Sequence, residues 1–133
     1  MTDLLVRTIA KEVGVRALAC VTTELVSDAV RRHAAMPVAT AALGYGLTAA
    51  ALLGGLLKVQ QRVALKVQGD GPLGKLVTES DAYGRIRGYV AMPAVVWPPP
   101  IDGAAGSDAL GQRGLLTVVK DLHLKGVAES TVP

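Results

Sequence analysis

Two short apolar runs open the chain, residues 4–10 and 15–21, split by Lys11-Glu12-Val13-Gly14. Leu4, Val6 and Thr8 alternate with Leu5, Arg7 and Ile9, the period-two pattern of a half-buried strand. Gly14 supplies the permissive backbone that a tight turn wants, so a β-hairpin is predicted. Thr22 or Thr23 then offers an N-cap, with Glu24 in the first turn where an acid suits the helix dipole. Leu25, Val26, Ala29 and Val30 form one apolar face of a helix through Arg32. Pro37 ends that helix and is placed to start the next.

Ala34 to Leu57 is a run of 24 residues without a charge. Its length makes Val38–Leu57 a membrane-span candidate, but Ala, Gly and Thr dominate it, so insertion would be weakly driven. Ala42, Gly46, Ala50 and Gly54 fall at i, i+4, i+8 and i+12, a small-residue stripe along which another backbone layer can approach closely. The reading preferred is a helix buried in protein, with its packing carried by Ala42, Gly46, Ala50 and Gly54.

From Arg62 the period changes to two. Val63, Leu65 and Val67 alternate with Ala64, Lys66 and Gln68, a Gly-rich turn follows, and Lys75–Glu79 and Ile86–Met92 read as two further strands. Three consecutive antiparallel strands are the simplest inference. Pro93 to Gly114 is irregular, with room for a short helix near Ser107–Leu110, and Leu115–Lys120 is a final apolar strand. The chain is expected to stop at Pro133 with no further strand or helix to close the sheet, as a fragment would. The predicted class is α+β: a layered β/α/β domain with a buried central helix rich in small residues and a mainly antiparallel sheet.

Composition sharpens this picture. The chain has 133 residues, 50% apolar and 19% charged, enough for one domain and the reverse of a disordered balance. With no Phe, one Trp, three Tyr, 20 Ala and 15 Gly, the core must be aliphatic and small. Net charge is +3, but the basic residues are scattered with no run longer than Arg31-Arg32, which argues against a nucleic-acid partner. One cysteine, Cys20, excludes a disulfide framework or a cysteine-rich zinc site within the chain. Met1-Thr2-Asp3-Leu4 lacks the basic start and apolar run of a signal peptide, so a cytoplasmic protein with no membrane partner is expected.

Candidate chemistry is sparse. Gly69-Asp70-Gly71-Pro72-Leu73-Gly74 matches G-x-G-x-x-G, which motivates an alternative reading as a nucleotide-binding enzyme. A dinucleotide site needs those glycines to open a helix, whereas Lys75–Glu79 has strand character, so a hairpin connection is preferred. His33 and His123 are read as a helix-end cation and a post-strand residue. Ser27, Ser80, Ser107 and Ser130 have no evident base partner. Asp70, Glu79 and Asp81 read as turn and edge residues. Cys20 is expected to be a buried inert thiol, and Trp97, after Val95 and Val96, to plug the core from a loop.

Taken in order, these stretches resemble one family, the redox-regulated holdase chaperones called heat-shock protein 33. The matching residues are Val15-Arg16-Ala17 leading to Thr22-Thr23, Arg31-Arg32-His33, Pro37, Ala41-Ala42-Leu43-Gly44, Thr48-Ala49 and Leu56-Leu57-Lys58. The turn Gln68–Gly74, Arg87-Gly88-Tyr89-Val90 and Leu116–Leu122 complete the series. The resemblance implies an N-terminal domain whose helix lies between β-layers, in a cytoplasmic, ATP-independent chaperone that is not an enzyme and holds unfolding proteins under oxidative and heat stress. It implies homodimers, and a separate C-terminal module that binds zinc through four cysteines in C-x-C and C-x-x-C pairs; oxidation there forms disulfides, expels zinc and exposes apolar surface.

Neither cysteine pair stands in this chain. Residues 1–133 are therefore expected to be the N-terminal chaperone domain alone, with no cofactor of its own and with linker and zinc module lying outside it. Tyr45 stands where the family suggests a basic residue, His123 where it suggests Gly, and Gly126-Val127-Ala128 departs from its acidic-Pro-aromatic run. Gly69, Asp70, Gly71, Pro72 and Gly74 are carried as a structural signature turn. Val95, Val96, Trp97 and Ile101 are carried as candidate contacts for unfolded clients.

Overall fold

In the computed structural model, residues 2–97 and 105–133 are described, so Ile101 lies outside the described residues. Strands β1 (Leu4–Ala10) and β2 (Val15–Val21) pair antiparallel from Leu4↔Val21 to Ala10↔Val15. Helices α1 (Thr23–His33) and α2 (Pro37–Gly54) follow. Then come β3 (Arg62–Gly69), β4 (Lys75–Asp81), β5 (Ile86–Val90), the short α3 (Ala105–Leu110), β6 (Gly114–Asp121) and β7 (Val127–Val132). The larger sheet is antiparallel throughout, in the order β5-β4-β3-β6-β7. The class is α+β.

Helix α2 forms because Pro37 occupies its first turn, where the missing N–H costs nothing, and because the residues after it are mostly good helix formers. Leu43 and Leu47 are fully buried, each contributing about 1.5–3 kcal/mol of transfer free energy. The stripe faces β4. A Cβ on Gly46 would lie 2.7 Å from Leu76 Cδ2, and one on Gly54 would overlap Ser80 Oγ. Ala42 and Ala50 are buried between them. By length and composition Pro37–Gly54 could cross a membrane, yet half of it is already buried in protein.

The hairpin lies against the C-terminal end of α2. Arg7 Nη1 donates to the Gly55 carbonyl at 2.9 Å, and Leu5 and Leu18 crowd the same glycine. The face carrying Leu4 and Val6 stays exposed, because nothing among the described residues packs on it. The alternation seen in the sequence therefore does not correspond to half-burial here.

Three further expectations change. Thr22 is the N-cap of α1 but makes no side-chain capping bond; the capping carboxylate comes from Asp3 instead. The strand β7 does close the sheet edge beyond β6. Its sequence, Val-Ala-Glu-Ser-Thr-Val, has too few large apolar residues for its period to stand out. Cys20 is half-buried, and that burial, with Asp3 nearby, pushes its thiol pKa up.

Candidate interaction surface

Directly opposed residues of antiparallel strands share a face, so the registers define rows across the sheet. On the face toward α2 the first row is Val90, Leu76, Val67, Leu116 and Val132. The second is Gly88, Thr78, Leu65, Val118 and Ser130, and the third Ile86, Ser80, Val63, Lys120 and Ala128. Burial falls steadily along the first row: Val90 is 3% exposed and Leu76 4%, whereas Leu116 is 38% and Val132 50%.

The reason is geometric. Helix α2 packs on β3, β4 and β5, drawn close to β4 by Gly46 and Gly54. The β6–β7 half lies beyond its reach. Between the helix and this uncovered half opens an apolar cleft of about 650 Å³, walled by Tyr45, Ala49 and Leu52 on one side and Leu65, Leu116 and Val118 on the other. Tyr45 projects from α2 and is largely exposed. Thr78, also in its wall, buries an Oγ1 that has no hydrogen-bond partner among the described residues.

The opposite face is mixed: exposed Leu115, Tyr89 and Val127 stand there among charged and polar side chains. Glu79 sits between Arg87 Nη2 at 3.0 Å and Arg62 Nη1 at 3.9 Å, and Thr117 and Thr131 hydroxyls meet at 3.0 Å. At the β4–β5 turn, partial burial raises the Asp81 pKa, but Arg85, through its backbone and side chain, and the Tyr83 N–H outweigh it and hold the carboxyl below its usual range.

The Gly69–Gly74 turn joins β3 to β4, with strand on both sides. Its amides are spent internally. Asp70, Gly71 and Leu73 N–H groups donate to the carbonyls of Arg113, Leu110 and Ala109 at 3.0, 2.9 and 3.1 Å. Asp70 Oδ1 in return accepts from the Gln112 and Arg113 N–H groups at 2.9 and 3.2 Å. A Cβ on Gly69, Gly71 or Gly111 would collide with this knot. Amides that would cradle a phosphate instead lock the α3–β6 connection to the β3–β4 turn, which removes the ground for a nucleotide site. Pro72 is exposed at the tip, and Gly74 takes the left-handed φ of 76° that lets the chain re-enter β4.

The remaining candidates do not converge. Val95 is half-buried against the core, while Val96 and Trp97 are exposed. Trp97 keeps 39% of its surface accessible, so it is not the buried plug expected from its apolar neighbours. His33 and His123 are exposed at separate places. Among the described residues no group of three His, Cys, Asp or Glu side chains could hold a metal ion. The four-thiolate zinc set implied by the resemblance therefore does not fit a chain with one cysteine.

Tyr45, Leu116, Val118 and Val132 were not singled out as surface residues in the sequence. The one signal pointing to them was an aromatic interrupting an otherwise small-residue helix.

Fold and surface together define an α+β domain whose accessible chemistry is apolar contact. Residues 3–133 match the family described as Hsp33 protein. The chain is 56% identical over 133 residues to a 33 kDa chaperonin of Citrifermentans bemidjiense, covering 99% of this chain and 45% of that protein. It is 42% identical over 134 residues to one from Geobacillus sp., covering 100% and 45%. The crystal structure of the 33 kDa chaperonin (heat shock protein 33 homolog) from Thermotoga maritima matches with a TM-score of 0.77 at 38% identity, over 83% of this chain and 38% of that one. The chain belongs to the Hsp33 family. It spans about half the length of the curated relatives it matches, 45% in the first case.

Proposed function

We propose that residues 1–133 act as the N-terminal chaperone domain of an ATP-independent holdase, a cytoplasmic non-enzyme that binds unfolding proteins during heat and oxidative stress. The observation that carries this reading is the uncovered half of the sheet: Leu116, Val118 and Val132 beside the cleft under Tyr45 and Leu52. Contiguous exposed apolar surface on a folded domain marks an interaction site, and recognition of unfolded chains needs apolar area more than any motif. The exposed Val96 and Trp97 stand apart from that cleft as separate candidate client contacts.

Redox control in the family is expected to reside in a zinc module with four cysteines. This chain carries only Cys20, half-buried and with a raised pKa, which disfavours the reactive thiolate. Client binding by this chain is therefore constitutive, without zinc and without response to oxidant. Association between two copies is the competing use of the same surface.

The test is light scattering from a heat-denatured model protein, with and without the chain, under reducing and oxidising conditions, with ATP as a control. Suppression equal in both redox states and indifferent to ATP is expected. A well-folded sample that leaves aggregation unchanged defeats the proposal.

A further inference from the structure

We propose that the Asp70-Gly71 step is a latent site of spontaneous isomerisation, masked while α3 is seated and reactive once the α3–β6 connection opens. In the reaction the Gly71 main-chain nitrogen attacks the Asp70 Cγ. The new N–Cγ bond closes a cyclic imide, and the carboxyl hydroxyl and the amide proton depart together as water. A second water then opens the ring. Its attack at the Asp70 main-chain carbonyl breaks the bond to the Gly71 nitrogen, so the chain runs on through Cβ and Cγ as an isoaspartyl linkage of unchanged mass. Glycine after the aspartate favours this closure, because no side chain shields the attacking nitrogen.

The fold depends on the same glycine that makes the sequence labile. A Cβ on Gly71 would collide with the Ala109 carbonyl, and one on Gly69 with that of Leu110, so only glycines let the turn lie against the end of α3. Seated there, both reacting groups are engaged elsewhere. The Gly71 N–H donates to the Leu110 carbonyl at 2.9 Å and the Asp70 N–H to that of Arg113 at 3.0 Å. Asp70 Oδ1 accepts from the Gln112 and Arg113 N–H groups at 2.9 and 3.2 Å. Ring closure requires the nitrogen to shed its bonded proton and the carboxyl to leave its two donors. Asp70 itself is exposed, so immobilisation masks the site and burial does not.

Isomerisation is also a one-way change for the fold. The new linkage inserts one carbon into the main chain between residues 70 and 71 and leaves the carboxylate on a shorter stem. Crowding at Gly69 and Gly71 leaves no room for an added atom, so the knot does not re-form. Helix α3 has six residues, too few to persist unaided, and it loses the turn donors to its Ala109 and Leu110 carbonyls. The other Asp-Gly step, Asp102-Gly103, lies outside the described residues. Trypsin separates the two, since its product 67–75 carries Asp70 alone.

The experiment ages the whole chain, folded and unfolded in urea, beside a synthetic peptide of residues 67–75 in the same mildly acidic buffers. The isoaspartyl form of tryptic 67–75 is separated by chromatography and identified with an isoaspartyl methyltransferase. Opening breaks four hydrogen bonds, each worth about fivefold in the equilibrium, so isomerisation at least about a hundredfold slower is expected in the folded chain than in urea or in the peptide. Gly111→Ala, whose Cβ would overlap Asp70 Oδ1, is expected to raise the folded-state rate by at least about tenfold. If that variant does not fold, wild type in urea below its unfolding transition gives the same comparison. Chain aged in urea and then diluted is expected to refold with the isoaspartyl form excluded from the native fraction.

Equal rates in the folded chain and the peptide overturn the masking, and absence of the isomer from the unfolded chain overturns the site itself. An unchanged rate in folded Gly111→Ala shows that the knot is not what protects Asp70. Isoaspartate at position 70 carried in full proportion by natively refolded chain overturns its effect on α3. None of these outcomes bears on the holdase reading.

Discussion

The Asp3 carboxylate accepts hydrogen bonds from the backbone N–H groups of Glu24 and Leu25, at 3.0 Å to Oδ1 and 2.7 Å to Oδ2. It thereby caps a helix twenty residues further along and ties the start of the hairpin to α1. The charge also suits the positive end of the helix dipole. Asp3→Ala is expected to cost about 1 kcal/mol of stability, read as a lower midpoint in urea at unchanged slope. A Thr22→Ala control is expected to cost less at this cap, since Thr22 makes no capping bond; its hydroxyl bonds Thr48 Oγ1 at 2.7 Å instead.

Glycines within α2 are not equivalent. A Cβ on Gly44 meets only Val26 Cγ1 at 3.9 Å, whereas one on Gly54 overlaps Ser80 Oγ and lies 3.0 Å from the Asp81 carbonyl. Gly44→Ala is expected to stabilise by up to about 1 kcal/mol through helix propensity. Gly54→Ala is expected to destabilise by about 1–3 kcal/mol through overpacking. Thermal melts of both variants check the opposite signs.

Thr78 is fully buried, and its Oγ1 lacks a hydrogen-bond partner among the described residues. Replacing it with the near-isosteric valine removes a desolvated hydroxyl, so Thr78→Val is expected to stabilise by about 1 kcal/mol. A lower melting temperature for this variant would show that the hydroxyl is satisfied in solution.

His123 adopts a left-handed φ of 61°, a conformation in which a side chain is penalised and glycine is not. His123→Gly is expected to gain about 0.5–1 kcal/mol, measured by chemical denaturation. No change would mean that the β6–β7 turn relaxes locally.

The Asp81 carboxyl is held below its usual range, its burial outweighed by hydrogen bonds from Arg85 and Tyr83. A carboxylate whose pKa is lower when folded contributes stability that is present above its unfolded pKa and is lost as pH falls through the folded one. Acidification from about pH 5 downward is therefore expected to remove this contribution progressively. Asp81→Asn should flatten that part of the stability–pH profile while lowering the neutral plateau. An identical acid slope in wild type and variant would contradict the role given to Asp81.

Legibility differed by element. The hairpin, both main helices and the β3–β4–β5 meander were readable because each carries a strong local signal: period two with a Gly turn, an apolar helical face, or Pro37 at a helix start. β7 was not, because Val127–Val132 interleaves small polar residues with too little apolar contrast to distinguish strand from loop. The cap on α1 escaped for another reason. Thr22 and Thr23 are sound local candidates, and only the folded path of the chain brings Asp3 to the helix start.

The candidate surface shows the same division. Alternation alone marks Leu116 and Val118 as facing one side of a sheet, and the small-residue stripe at Ala42, Gly46, Ala50 and Gly54 marks α2 as a helix suited to close approach. The order and spacing of the motifs are enough to reveal the family. What the sequence could not decide is which apolar residues remain uncovered. That depends on where α2 comes to rest, and it rests over β3, β4 and β5 because the Gly46 and Gly54 contacts draw it onto β4. Local pattern sets which side a residue faces; only the packing of one layer on another decides whether that side meets protein or solvent.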